Sequence, residues 1–176
     1  TPEQMARNFA YYEAVTVRDS SLSACTQAVV AARTGHLDLA FDYFAESALV
    51  DLNNLAGNTD HGVHIASMAG TWNAVVAGFG GIEFDSTGLA FAPQLPAALS
   101  KISFGLGWQG RQLRVSITAD EAEYRLVSGP PMRQLLVIGA FQSDLNRRVF
   151  EDAFVGALRA AQTAGVQSYP SLPESG

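Results

Sequence analysis

Apolar residues recur at three- and four-residue spacing up to about position 77, and at alternate positions from about 89 to 126. That change of period predicts helices first and an antiparallel sheet second. Thr1 is a cap, Pro2 suits a first helical position and Glu3 a first turn, so a helix over about 2–13 follows, with Met5, Phe9 and Tyr12 on one side. Asp19, Ser20 and Ser21 are cap types ahead of a second helix over about 22–33, with Leu22, Cys25, Ala28, Val29 and Ala32 in register and Gly35 as its stop. A third helix over about 37–52 turns Leu37, Ala40, Phe41, Phe44, Ala48 and Leu49 inward. The short link Thr34-Gly35-His36 makes the second and third helices an antiparallel hairpin.

Around the fourth helical stretch the rest of the chain is organised. Asn58, Thr59 and Asp60 are cap types, and a helix is expected over about 61–77, stopped by Gly78, Gly80 and Gly81. Ile65, Met68, Ala69, Trp72 and Val76 form its apolar stripe, while Ala66, Ser67, Gly70, Thr71 and Ala74 leave the other face thin enough for neighbouring helices to come close. Two histidines, His61 and His64, stand at its start. Past Gly81, Leu89 and Phe91 alternate, as do Ile102, Phe104, Leu106 and Trp108, then Leu113, Val115 and Ile117, then Ala122, Tyr124 and Leu126. With Gln109-Gly110 between two of these runs, about four antiparallel strands are expected. Pro93 and Pro96 fall in a connector. Leu135–Ile138 reads as a further strand, Val149–Ala164 as an amphipathic helix, and Ser168–Gly176 as a disordered tail.

The 176 residues suffice for one ordinary domain or two small ones. A formal charge of −6 leaves no basic patch to neutralise phosphodiesters, and no polybasic segment suits a membrane surface. Every long apolar stretch is broken short of a membrane span. The single cysteine, Cys25, cannot form an internal disulfide and fits a cytoplasmic location. The three histidines and that cysteine lack metal-ligand spacing. Gly70-Thr71-Trp72 has no serine for a nucleophile elbow, and no glycine-rich loop with lysine follows a strand. A chain opening at Thr1 without methionine reads as a fragment.

The run Asn58-Thr59, Gly62-Val63-His64, Met68-Ala69-Gly70-Thr71-Trp72 and Gly78-Phe79-Gly80-Gly81 resembles the late part of the catalytic barrel in glycoside hydrolase family 65, and the match runs in order over more than twenty positions. The resemblance implies an α+β fragment. Residues 1–82 would be the last helices of an α/α barrel, 83–140 part of a β-sandwich, and 141–176 a helix and tail beyond the pattern. The likeness fades past Ser128. The activity implied is cleavage of α-glucosidic disaccharides by inverting phosphorolysis, giving β-glucose 1-phosphate. Inorganic phosphate would be co-substrate, no cofactor would be needed, and the whole protein could pair as a homodimer. The general acid would lie upstream, so no catalytic residue is expected among these positions.

Asp19-Ser20-Ser21-Leu22-Ser23 resembles the family's phosphate-binding serine turn. Unpaired amides and the helix dipole suit an anion at such starts. The resemblance thus implies a phosphate site of Ser20, Ser21, His64 and Arg18, with Asp19 and Gly62 bordering the substrate. Many family members carry histidine where Arg18 stands; a guanidinium serves an anion equally well. By residue type alone Ser20 and Ser21 are plain caps, His64 a structural histidine, His61 and Asp60 solvated or capping groups, and Phe9, Tyr11, Tyr12, Trp72 and Phe79 mostly core. Two other functions stay open: a hydrolase of the same family, with Asp19 or more distantly Glu13 as its base, and a non-catalytic scaffold in which Ser20 and His64 lie far apart. Lacking the acid, the isolated 176 residues are expected to turn over no α-glucoside, which an assay of glucose and glucose 1-phosphate release checks.

Overall fold

The computed structural model describes residues 1–85, 88–131 and 135–137; the helix expected over 149–164 and the tail over 168–176 lie outside them. Four helices come first: α1 (Pro2–Val15), α2 (Ser23–Arg33), α3 (Leu37–Leu49) and α4 (Ile65–Asn73). At α1 the expected cap forms as a capping box, in which the Gln4 amide donates to Thr1 Oγ1 at 3.3 Å and the Thr1 ammonium donates to Gln4 Oε1 at 2.8 Å. The helix buries only Phe9, whose ring stacks on His36 at 4.9 Å.

Small side chains govern the packing of α2. Ala24, Cys25, Ala28, Ala31 and Ala32 are all buried. The helix ends at a Schellman turn, where the His36 amide donates to the Ala31 carbonyl (2.9 Å) and the Gly35 amide to that of Ala32 (3.0 Å), with Gly35 at φ +83°. The chain then reverses into α3, completing the expected hairpin. The inward row of α3 is Ala40, Tyr43, Ser47 and then Val50, whereas Leu49 is 37% exposed. The helix stops at Leu49 rather than Leu52, because Asp51 to Gly57 coil into turns, with Asn54 at φ +46° and Gly57 at φ +67°.

The fourth helical stretch differs from its expected form in two respects. It opens as a separate 3₁₀ turn, Thr59–His61, breaks at Gly62–His64, and resumes as α4 from Ile65, closing in a π-helical turn over Ala74–Phe79. Its buried face is the thin one. Ser67, Gly70 and Ala74 are buried, while Ile65, Met68 and Trp72 stay 72%, 58% and 53% exposed. Close approach decides this: a Cβ built on Gly70 would lie 2.2 Å from Cys25 Sγ, and one on Gly78 would lie 3.4 Å from Val29 Cα and 3.7 Å from Ala32 Cβ. Contacts that advance together, from 25 to 29–32 on α2 and from 70 to 78 on the other strand of chain, make α4 run parallel to α2. Three hydroxyls bind α4 to α3, with Ser47 Oγ 3.1 Å from Ser67 Oγ and 2.9 Å from Thr71 Oγ1.

Two three-stranded sheets follow. One holds β1 (Ile82–Asp85), β2 (Gly88–Phe91) and β6 (Leu135–Val137) in the order β1-β2-β6, antiparallel then parallel. The other is the antiparallel meander β3 (Lys101–Trp108), β4 (Arg111–Thr118) and β5 (Ala122–Ser128). Gln109 (φ +47°) and Gly110 (φ +73°) make the two-residue turn between β3 and β4, with Trp108 opposite Arg111. Leu89 and Phe91 from the first sheet meet Ile102, Phe104, Leu113, Val115 and Ile117 from the second in one core that continues into the helices. Phe91 lies 4.6 Å from Tyr124, and Trp72 of α4 sets its edge on Phe104 at 6.2 Å. At the far end of α2, Arg33 donates to the Ile82 carbonyl at 3.0 Å. No helix among the described residues is long and apolar enough to cross a membrane.

Gly70→Ala forces a methyl into Cys25, so a loss of about 1–3 kcal/mol is expected, read from the denaturant midpoint. Adding Cys25→Ala should restore only part of it, because the built Cβ also lies 2.6 Å from Cys25 Cβ.

Candidate functional site

Parallel α2 and α4 begin at one end of the helical layer, and antiparallel α3 finishes there. That end gathers Asp19–Ser21 before α2, Asp51 just past α3, and His64 at the start of α4. Thus the two starts that the sequence singled out lie on the same side of the molecule.

His64 is the N-cap residue of α4, and its own side chain caps nothing. Asp51 instead holds His64 itself. Its Oδ2 accepts the His64 backbone N–H at 2.8 Å, and its Oδ1 lies 2.6 Å from His64 Nδ1. The His64 hydrogen bond, above all, holds the Asp51 carboxyl below the usual carboxylate range. An ionised carboxylate only accepts, so Nδ1 carries the proton. His64 Nε2 has no hydrogen-bond partner among the described residues, and the two side chains are 19% and 15% exposed. Thr59 steadies the intervening loop by donating from its amide and its hydroxyl to Asn54 Oδ1, at 3.1 and 2.8 Å.

Ser20 and Ser21 form a turn ahead of α2 and do not cap it. The N-cap position belongs to Leu22, with no side-chain acceptor. Ser20 instead takes the Ser23 amide on its carbonyl (3.0 Å) and the Leu22 amide on Oγ (3.3 Å). The Ser21 hydroxyl makes no hydrogen bond among the described residues, Asp19 is exposed, and Gly62 sits exposed at φ +120° just before His64. Arg18 is already engaged. Its guanidinium lies 4.7 Å over the Tyr43 ring and 3.8 Å from Glu13. Glu13 also accepts the Tyr43 hydroxyl and, at 3.1 Å, the Gln27 amide. Burial first, and then Glu13, push the Tyr43 phenol up to about 12, so it stays a neutral donor. Beside this cluster a groove of about 810 Å³ runs between α1 and α2, lined by Phe9, Tyr12, Glu13, Ser20, Ser23 and Gln27 among others.

The site residues therefore fall into two groups, Arg18 with Glu13 and Tyr43, and His64 with Asp51. No hydrogen bond or ion pair among the described residues joins them or ties Ser20 and Ser21 to His64. His61 is exposed, 3.9 Å from the equally exposed Asp60, as expected of solvated groups. Phe9 and Phe79 are core as expected, but Tyr11, Tyr12 and Trp72 are exposed. Sequence reasoning missed Asp51, which had been absorbed into an over-long third helix. Its signal was an acidic residue at the negative pole of a helix, an unfavourable place unless something else holds it.

Residues 1–73 match the model of the glycosyl hydrolase family 65 central catalytic domain, and residues 82–136 that of the family's C-terminal domain. The chain belongs to glycosyl hydrolase family 65. Family 65 character thus extends to residue 136, past the point where the sequence pattern alone faded. Over 130 residues the chain is 53% identical to an uncharacterized glycosyl hydrolase of Mycobacterium leprae, covering 74% of this chain and 16% of that one. With an alpha,alpha-trehalose phosphorylase of Geobacillus stearothermophilus it shares 41% over 122 residues, 69% of this chain and 16% of the relative. A solved structure of a candidate kojibiose phosphorylase from the human microbiome superposes with a TM-score of 0.74 at 25% identity, covering 78% of this chain and 20% of that one. The α+β arrangement of helices followed by antiparallel sheet is the family 65 architecture at this point of the chain, which spans about a sixth of the length of these relatives (16%).

Asp51 carries a depressed pKa in the fold, so its contribution is present above the ordinary carboxylate range and fades as pH falls through the folded value. Asp51→Asn is therefore expected to lower thermal stability at pH 7, with the deficit shrinking as the pH is taken down below the ordinary carboxylate range. Melting curves across that pH range check this.

Proposed function

We propose that this chain is the phosphate-binding side of a family 65 disaccharide phosphorylase. The observation that carries the reading is the pair of parallel helix starts at one end of the helical layer, one preceded by Asp19-Ser20-Ser21 and the other bearing an Asp51-held His64. The exposed Ser20, the half-buried Ser21 hydroxyl, the positive pole of α2 and the His64 Nε2 edge suit a small tetrahedral anion. Arg18 adds positive charge beside that end, although its guanidinium is shared with Glu13 and Tyr43. Asp19 and Gly62 border the same region.

In inverting phosphorolysis a phosphate oxygen attacks the anomeric carbon from the face opposite the glycosidic bond. The bond's electron pair leaves with the departing sugar oxygen, which takes a proton from a carboxylic acid. An α-glucoside so cleaved yields β-glucose 1-phosphate and the released sugar. The acid belongs to a part of the enzyme outside these residues. Inorganic phosphate is the co-substrate, no cofactor takes part, and the whole protein acts in the cytoplasm, with a homodimer as its working assembly.

A hydrolase of the same family is the second reading, favoured by the likeness to the mycobacterial glycosyl hydrolase. It requires a carboxylate free to activate water. Glu13 already accepts from Tyr43 and Gln27, and Asp19 is exposed, so neither is poised for that role.

Incubating the full-length enzyme with trehalose, maltose or kojibiose, with and without inorganic phosphate, separates the two. Glucose 1-phosphate formed only with phosphate is the expected result, and phosphate-independent release of glucose would favour the hydrolase. In the phosphorylase, Ser21→Ala should raise the KM for phosphate about tenfold, the loss of roughly one charge-assisted hydrogen bond, and leave the KM for the disaccharide nearly unchanged.

A further inference from the structure

The geometry points to Asp51 as the positioning residue that fixes the His64 ring for phosphate, an inference that rests on the phosphorolysis reading. Both carboxylate oxygens are spent on one residue, Oδ2 on the His64 peptide N–H at 2.8 Å and Oδ1 on Nδ1 at 2.6 Å. A two-point grip of this kind fixes both the backbone at the start of α4 and the rotation of the imidazole about its χ angles. With Nδ1 turned to Asp51, the opposite ring nitrogen, Nε2, is the only one left for a ligand, and it has no partner among the described residues.

The assignment also settles which ring form can serve. Held on Asp51 as a neutral imidazole, His64 presents a lone pair at Nε2, which repels a phosphate oxygen. With both ring nitrogens protonated, Nδ1–H stays on Asp51 and Nε2–H becomes the donor the anion needs. Asp51 then offsets the imidazolium charge from behind, and the phosphate faces the donor in front. Along the chain Gly62 and Val63 precede the ring and Ile65 follows, with the exposed Asp60 and His61 just ahead, and α3 meets α4 through the Ser47, Ser67 and Thr71 hydroxyls.

Both Asp51 oxygens are turned to His64 and not to the proposed anion side. The effect of Asp51 should therefore appear in phosphate binding and not in sugar binding. That separates a positioning role from a merely structural one, since a loosened fold would disturb both substrates alike.

The test is steady-state kinetics of the full-length enzyme, varying phosphate and disaccharide separately, for the parent, Asp51→Asn and Asp51→Glu. Asp51→Asn keeps the size and one acceptor but removes the charge. Its KM for phosphate should rise about tenfold or more, with the disaccharide KM within about twofold. Asp51→Glu restores a carboxylate one methylene out of place and should fall between parent and Asn variant; it also carries the test if the Asn variant does not fold. Variants that lose thermal stability yet keep the parent's phosphate KM overturn the assignment and leave the phosphorolysis reading intact. A parent enzyme indifferent to phosphate overturns both together, so the two failures are told apart.

Discussion

Everything at the candidate site depends on how closely α2 and α4 approach. A helix pair normally keeps 8–10 Å between axes because side chains stand between them. Here Gly70 faces Cys25 and Gly78 faces Val29 and Ala32, with no room for a methyl at the first of these contacts. The alanines of α2 continue the same thin surface. Side by side and parallel, the helices bring two positive poles to one end of the layer, an arrangement that repels and so invites something negative. Asp51 meets part of that demand at α4. At the start of α2 no carboxylate plays that part; Ser20 takes the Leu22 amide on its Oγ and the Ser23 amide on its carbonyl.

Much of this was legible in the residues, and the limits have physical causes. Thr1-Pro2, the Gly35 stop and the Gln109-Gly110 turn act over a few positions, and each formed as the local chemistry requires. The meander could be read because one face of it is buried, which imposes strict alternation at Leu113, Val115 and Ile117. β1 went unseen because Ile82–Asp85 alternates over only four residues, too few to stand out, and its Phe84 is exposed. The inward face of α4 was misread for a deeper reason. Hydrophobicity ranks Ile65, Met68 and Trp72 above Ser67 and Gly70, but burial followed closeness of fit and three interlocking hydroxyls. A pattern read residue by residue does not contain the partner helix.

The same limit applied at the site. Ser20, Ser21 and His64 could be named from their places at helix starts, yet the pairing of His64 with Asp51 spans 13 residues and crosses a helix end. Arg18 drew notice as an anion ligand; its stacking on Tyr43 and proximity to Glu13 come from α1 and α3 converging, which no local spacing records. A buried phenol held neutral beside a carboxylate is an added constraint on that corner, since any charge brought there must be compatible with both.

One tie links the β-layer to the far end of α2. Arg33, at the last turn of α2, grips the Ile82 carbonyl of β1, while Ser20 and Ser21 stand just ahead of the first turn. The 11 residues between these ends make a strut about 16 Å long. A strut pinned at its base by the sheets sets the height and tilt of its tip, so the C-terminal module works as a foundation for the serine turn. Strain or damage in the sheets would accordingly be felt as a misplaced serine turn about 16 Å away.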